Sequence, residues 1–299
     1  MGDETEGFIG RCIAGAFPGG GARLLGTEAI PFGSNELWRL RVEHGGAAME
    51  LVLRRYRHWI TWHSSDDRLK AAREARAIEH VRGYGLRAPA LYGHGPDWTL
   101  VAWVSGQRMT PGGARATVDA HAARSLAGVL AQLHRLPPPD GPFPRVTVAA
   151  SLLAIRAWAT ALGDARLSAA IERLRPLAEE APVFIHGDPN PSNVLLDGDF
   201  GVAGLIDWED AAIADYRFDI VTAYWALLLR APDVAGDFIA AYESASGRPV
   251  RDLPQWLAFA TVRAWAVAGI LRASGAALTL FSTDEEKAAA ERRLDEAGF

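Results

Sequence analysis

The sequence is poor in cysteine, in lysine and in long apolar runs. Cys12 is the single cysteine among 299 residues. That excludes an internal disulfide and a cysteine-built zinc cluster, and it suits a reducing, cytoplasmic setting. Lysine occurs only at positions 70 and 287, so nearly all positive charge is carried by arginine. The longest apolar run, near residues 220–229, is about half a membrane span. The N-terminus is acidic where a secretion signal would be basic, so neither leader nor membrane anchor is expected. The glycines at 19–21 are not followed by Gly-Lys-Ser/Thr and form no Walker loop. No basic stripe interleaved with aromatics is present and the net charge is -5, so nucleic acid is not an expected partner.

What the chain does have is the composition of an ordinary globular protein, 49% hydrophobic and 22% charged, with length enough for two lobes. Its charge is unevenly spread. Residues 179–219 hold ten acidic side chains against one basic, Arg217, whereas residues 50–87 hold nine basic against five acidic. Such a split suits a site in which one lobe grips phosphates and the other holds a metal ion, with room for a cationic acceptor.

The chemistry concentrates in residues 183–210. Two apolar runs, 183–185 and 194–196, flank a polar loop, and a third, 202–206, ends at an acid. Within this stretch Asp188 and Asn193 have the spacing D-x-x-x-x-N, and Asp207 follows fourteen positions later. Phosphoryl transfer on a kinase-type scaffold needs a carboxylate to accept the proton of the acceptor hydroxyl. It also needs an amide oxygen and a second carboxylate to hold magnesium against nucleotide phosphates. Asp188, Asn193 and Asp207 supply that set in that order. A plain structural reading makes Asp188 a turn residue before Pro189, Asn193 a loop residue and Asp207 a helix cap.

The motif His186-Gly187-Asp188, with Asn193 and Ile206-Asp207-Trp208, resembles the catalytic loop and metal-binding motif of the aminoglycoside phosphotransferase family, relatives of choline kinase and protein kinases. Gly187 in place of Arg, and Trp208-Glu209 in place of Phe-Gly, point to the small-molecule branch. The resemblance implies an α+β, bilobal protein kinase-like fold. Its small N-lobe, residues 1–104, would carry an antiparallel sheet and one main helix, and its larger, mostly helical C-lobe would span 105–299. It implies Mg2+, ATP or GTP as phosphoryl donor, and a small-molecule hydroxyl acceptor, which could be an antibiotic, an amino alcohol, a sugar or a hydroxy acid. Monomer and dimer both stay open. A nucleotide-binding module without transfer activity is the alternative from another class.

Carried along the chain, the resemblance assigns further roles. The turn at Gly33, Ser34 and Asn35 would lie over the phosphates. Arg54, in a Val-Leu-Arg strand, takes the place of the usual phosphate-binding lysine, since neither lysine is expected within reach of that strand. Glu74, on a helix predicted over 67–82, would pair with Arg54. Arg55 points to the opposite face and is expected in solvent. The backbone from Ala102 to Val104 would read the base. His186 and Asp219 would support the catalytic loop, and His134 is expected to be a packed or capping residue. Glu209 and Asp210 could face an acceptor amine or simply be solvated. The aromatic segment 56–67, with His58 and His63, could fold over nucleotide or acceptor. Helices are expected over 149–162, 164–180, 234–245 and 254–274, with a last one from the Thr283/Glu286 capping pair to Phe299, whose carboxylate could reach the acceptor pocket.

Overall fold

The computed structural model describes residues 3–31, 35–57, 60–62, 64, 66–110 and 119–274, and the single positions 288, 292 and 295. The expected roles of Gly33, Ser34, His58, His63 and Phe299, and the expected final helix start, lie outside the described residues.

The N-terminal part is built on a helix and a sheet. Helix α1 (Asp3–Ala16) precedes β1 (Arg23–Ala29), β2 (Glu36–His44) and β3 (Ala47–Arg55); helix α2 (Lys70–Gly83) leads to β4 (Leu91–His94) and β5 (Trp98–Ala102). The sheet order is β1-β2-β3-β5-β4, every pair antiparallel. Alternation decides its faces. Trp38, Leu40, Val42, Leu51, Leu53 and Leu100 point one way and are covered by Phe8, Ile9, Cys12 and Ile13 of α1. Burial there pushes the Cys12 thiol up to about 12, so it is a core group and not a nucleophile.

The same alternation sends Arg54 to the opposite face, toward α2. Arg55 lies on the α1 face, but not in solvent as expected. Its guanidinium lies over the Phe8 ring at 4.2 Å and reaches Glu36 and Asp97 at 3.7 and 3.6 Å. The cover comes from α1, a contact across elements that no local period reports.

After Ala102 the chain leaves this sheet and joins a second one, in which β6 (Gln107–Arg108), β8 (Val194–Leu196) and β9 (Val202–Leu205) pair in the order β6-β8-β9. A two-stranded pair unites β7 (Val183–Ile185) with β10 (Ala212–Ala214). Strands β6 and β10 were not foreseen, being too short to show a period. Around them pack α3 (Ala120–Leu133), α4 (Val148–Leu162), α5 (Ala165–Arg173), α6 (Arg217–Arg230), α7 (Pro232–Ser246) and α8 (Leu253–Ala273). Helix α5 stops well short of residue 180 because Pro176 disfavours helical backbone in the residue before it. By length and hydropathy α8 could cross a membrane, but it is mostly buried, and Trp256, Phe259 and Val262 belong to the core.

Helices α6 and α8 meet through Phe218, which is fully buried and makes edge contacts with Trp256 and Phe259 at 5.3 and 5.5 Å. Replacing Phe218 with Ala should cost about 3–5 kcal/mol in denaturant unfolding. A loss below about 1 kcal/mol would show that this contact is not part of the packed core.

Candidate active site

The loop after β7 is shaped by backbone geometry before any chemistry. Gly187 has φ +88, and a Cβ there would collide with the Asp210 carbonyl oxygen. Only glycine lets the loop pass so close to the segment after β9, which explains why this chain departs from Arg at that position. Asp219, in the first turn of α6 and fully buried, accepts the backbone N–H groups of His186 and Gly187, both at 2.8 Å. His134, the C-cap of α3, completes that buried node, with Nε2 3.1 Å from Asp219 and Nδ1 2.8 Å from the Tyr242 hydroxyl. His186 accepts the Asp188 N–H on Nδ1 at 3.3 Å and places Nε2 3.0 Å from the Ile206 carbonyl. That pattern requires neutral imidazole, and burial lowers its pKa accordingly. The expected supporting positions of His186, Asp219 and His134 are therefore where the structure puts them.

Asp188 is thus presented on a fixed loop. Asn193, in a short helical turn at Pro191–Asn193, donates through Nδ2 to the Asp188 carbonyl and carboxylate at 3.1 and 3.2 Å. Ile206 donates to the Asn193 carbonyl at 3.0 Å, which brings Asp207 beside the same loop. Asp207 itself has φ 71, a left-handed conformation uncommon for a non-glycine residue, and its side chain makes no cap bond to the turn that follows. Its carboxylate is instead paired with Arg54. Burial raises the Asp188 pKa to about 8, with Asp210 and Asp207 adding to the shift and Arg263 and Trp62 opposing it; its Oδ1 is buried without a hydrogen-bond partner.

Around Arg54 the structure gathers charges that the sequence scatters. Glu74 of α2 lies 3.7 Å from it, Glu209 lies 3.2 Å from it, and Asp207 is closer still. Burial works against the Arg54 charge, but Asp207 and Glu74 hold its pKa well above the guanidinium range. Glu74 also accepts the Tyr56 hydroxyl and the Thr99 hydroxyl, the latter at 2.9 Å. Lys70 is the residue that sequence reasoning misplaced. It is 1% exposed, donates to the Ile60 carbonyl at 3.0 Å and contacts Glu209 at 2.6 Å, so it shares a carboxylate with Arg54. The available signal was its position four residues before Glu74, on the same helix face.

The solvated reading of Glu209 and Asp210 is also corrected, for both are buried. Glu209 bridges Arg54 and Lys70 and accepts the Asn35 amide at 3.1 Å, so it ties the residue before β2 to this centre. Asp210 accepts the Trp62 N–H at 3.1 Å. Arg73 anchors the turn from behind, gripping Asp67 at 2.7 and 2.9 Å and the Glu209 carbonyl at 2.8 Å. The proposed base-reading backbone is only partly available. The Ala102 N–H donates to Ala90 and the Trp103 N–H to Glu50, whereas Val104 lies beyond that ladder and packs over Gly204.

The donor set fits magnesium bound together with phosphates. Asn193 and Asp207 are hard oxygen donors, two in number, and magnesium is commonly held by one or two protein oxygens plus phosphate oxygens and water. No group of three or more His, Cys, Asp or Glu able to hold a metal occurs among the described residues. The buried Lys70 and the partly buried Arg54 add two cations beside these donors.

A family model described as the phosphotransferase enzyme family matches residues 29–259. No curated protein matches the chain by sequence. Among solved structures, an aminoglycoside-3'-phosphotransferase of type VIII aligns with TM-score 0.63 at 24% identity, covering 89% of this chain and 97% of that one. A macrolide 2'-phosphotransferase type I aligns with TM-score 0.65 at 20% identity, covering 98% of each chain. A choline kinase from Streptococcus pneumoniae aligns with TM-score 0.68 at 13% identity, covering 99% of each. At such identities the likeness speaks for the fold, which is the bilobal, protein kinase-like α+β arrangement anticipated from the sequence.

Two outcomes follow from the buried charges. Lys70→Met leaves Glu209 with one cation fewer and should destabilise the protein by about 3–5 kcal/mol in urea unfolding; an unchanged midpoint would mean the pair contributes nothing. Asp188 binds a proton in the folded protein between about pH 4, where an unfolded carboxyl titrates, and about pH 8. Stability without nucleotide should therefore fall as pH rises through that window. Asp188→Asn removes the titration, so the melting temperature of the variant relative to wild type should rise from pH 5 to pH 8. A constant difference would refute the buried protonated carboxyl.

Proposed function

The chain belongs to the phosphotransferase enzyme family, and we propose that it transfers the γ-phosphoryl group of ATP or GTP to a hydroxyl of a small molecule. The observation that carries this reading is the convergence of Asp188, Asn193 and Asp207. Asn193 is bonded to Asp188, and its backbone receives the residue before Asp207, while Asp207 pairs with the buried Arg54.

In the reaction the acceptor oxygen forms a bond to the γ-phosphorus as the bond from phosphorus to the bridging oxygen breaks and the nucleoside diphosphate leaves. Asp188 orients the acceptor hydroxyl and takes its proton. Asn193 and Asp207 would hold magnesium, which when bound neutralises charge on the phosphate oxygens. Arg54 lies beside them and, braced by Glu74, offers a planar donor fork to the α- and β-phosphates. Asn35, just before β2, is held to the same centre by Glu209. Because phosphoryl transfer asks little covalent chemistry of the protein, positioning and electrostatics carry most of the rate.

The neighbours named for aminoglycosides, macrolides and choline differ in acceptor, and the catalytic loop is indifferent to that choice. An antibiotic and a metabolic alcohol are both compatible with it.

Asp188→Asn should reduce transfer of labelled phosphate from γ-labelled ATP by about 10² to 10⁴. Affinity for a non-hydrolysable ATP analogue, measured by calorimetry with magnesium, should stay within about threefold of wild type, which is under 1 kcal/mol. Unchanged transfer would remove Asp188 from the role of base.

A further inference from the structure

The cations nearest the catalytic centre are already engaged within the protein. Arg54 is shared by Glu74, Asp207 and Glu209, and Glu209 also holds Lys70. Arg73 grips Asp67, and Arg263, 3% exposed, donates to the Thr222 hydroxyl at 2.6 Å. A nucleoside triphosphate entering beside Asp188, Asp207 and Asp210 brings several more charges of their sign, and one divalent cation offsets only part of them. The electrostatics call for a further cation, on a wall other than the one that carries Arg54.

Arg108 of β6 occupies such a wall. Its strand is two residues long, too short to show a period, and no motif marks it. Arg108 pairs with Leu195 of β8, which pairs in turn with Gly204 of β9. Residues directly opposite one another in antiparallel strands share a face, so these three form one row across the sheet. Val104 identifies that face, since its Cγ1 lies 3.0 Å from where a Cβ on Gly204 would stand. Val104 belongs to the linker after β5, so the row looks toward the N-terminal sheet. Leu195 is only half-buried there, whereas its neighbours Val194 and Leu196 belong to the core.

From that row the Arg108 side chain runs to the turn that carries Asn193. Nη1 donates to the Ser192 carbonyl at 2.5 Å, one residue before Asn193. Ile206, one residue before Asp207, donates to the Asn193 carbonyl, so Asp207 borders the same end of the sheet. Burial lowers the Arg108 pKa, with Asp207 drawing its charge and Arg54 repelling it, so both lie within electrostatic range. Two guanidinium groups therefore approach Asp207 from different sheets, Arg54 from β3 and Arg108 from β6. The Ser192 carbonyl fixes the Arg108 tip without neutralising its charge, and the residue is only half-buried.

We propose that Arg108 is a nucleotide-binding residue that grips the phosphates left on the nucleotide after transfer. This rests on the transfer reaction proposed above. The transferred phosphate belongs beside Asp188 and the oxygen donors Asn193 and Asp207. Arg108 spans the floor from Leu195 to the turn just short of those donors, so it meets the part of the phosphate chain nearer the nucleoside. Arg54 and Arg108 then hold that chain from two walls, each with a planar fork suited to phosphate oxygens. The pair supplies the grip in a chain that has neither a Gly-Lys-Ser/Thr loop nor a lysine on β3.

The test uses the full chain with magnesium, titrated by calorimetry with a non-hydrolysable ATP analogue and with ADP. Arg108→Gln keeps a donor for the Ser192 carbonyl and removes the charge. It should weaken both ligands by about tenfold or more, and Arg108→Lys, which restores the charge, should bind both at least threefold more tightly than Arg108→Gln. The ratio of wild-type to Arg108→Gln affinity should shrink as potassium chloride rises from about 0.05 M to about 0.5 M, because salt screens a partly exposed charge; a residue that only braces Ser192 would give a ratio indifferent to salt. Equal affinities in wild type and Arg108→Gln, weakening confined to the ATP analogue, no recovery with lysine, or a ratio indifferent to salt would each overturn the inference. Loss of cooperative thermal unfolding in Arg108→Gln would make Arg108 a structural brace and overturn it as well. Failure of wild type to bind either nucleotide would instead overturn the transfer reading itself.

Discussion

The arrangement of the site depends on one buried carboxylate, Glu209, held between two cations that come from different elements. Arg54 arrives from β3 at 3.2 Å, Lys70 from the start of α2 at 2.6 Å, and the Asn35 amide from the β1–β2 turn at 3.1 Å. Each ion in this knot would be costly to bury alone, and together they satisfy one another. With Glu74 and Asp207 the count is three carboxylates against two cations. Asp207 is the carboxylate paired most closely with Arg54, which holds its pKa down against burial, whereas burial with Asp207 and Asp210 nearby raises the pKa of Glu209 even though Lys70 and Arg54 oppose the shift. A centre short of one positive charge is prepared to receive one.

The catalytic loop shows a second kind of constraint, in which shape precedes charge. Gly187 permits the close passage against Asp210, and Asp219 fixes two successive amides. His186 packs against Trp208 with the rings tilted at 51° and centroids 4.4 Å apart, and it ties the loop to Ile206. The Trp208 indole N–H in turn donates to Leu205 at 2.9 Å. The loop carrying Asp188 and the turn carrying Asp207 are therefore positioned by one shared set of buried contacts. A substitution anywhere in that set would move both chemical groups together.

Much of this was legible from residue order. The D-x-x-x-x-N spacing, the flanking apolar runs and the acid at 207 located the site, and strand alternation sent Arg54 and Arg55 to opposite faces. Glu74 was matched with Arg54 through the family resemblance, and the two lie 3.7 Å apart. Lys70 escaped because its partner, Glu209, lies 139 positions away, and no local period reports a contact across elements. The same reason explains Arg55, whose cover comes from α1, and Asp210, whose partner is a backbone amide at Trp62. Strands β6 and β10 were hidden by brevity. Charge density along the chain was the least informative guide, since it suggested open acids where the fold pairs them.

Asp188 stands at the boundary between these two environments, and that position explains its behaviour. On one side lies the charged centre of Asp207 and Glu209; on the other, the aromatic and alanine surface around Arg263. Burial, Asp210 and Asp207 together favour its protonated form, whereas Arg263 favours the carboxylate. Two of the three groups that keep the proton on Asp188 are carboxylates, so any positive charge brought beside Asp207 weakens its hold. On the transfer reaction proposed above, a cation held beside Asp207 would also favour the carboxylate form of Asp188, so the two sides of the site are coupled through charge.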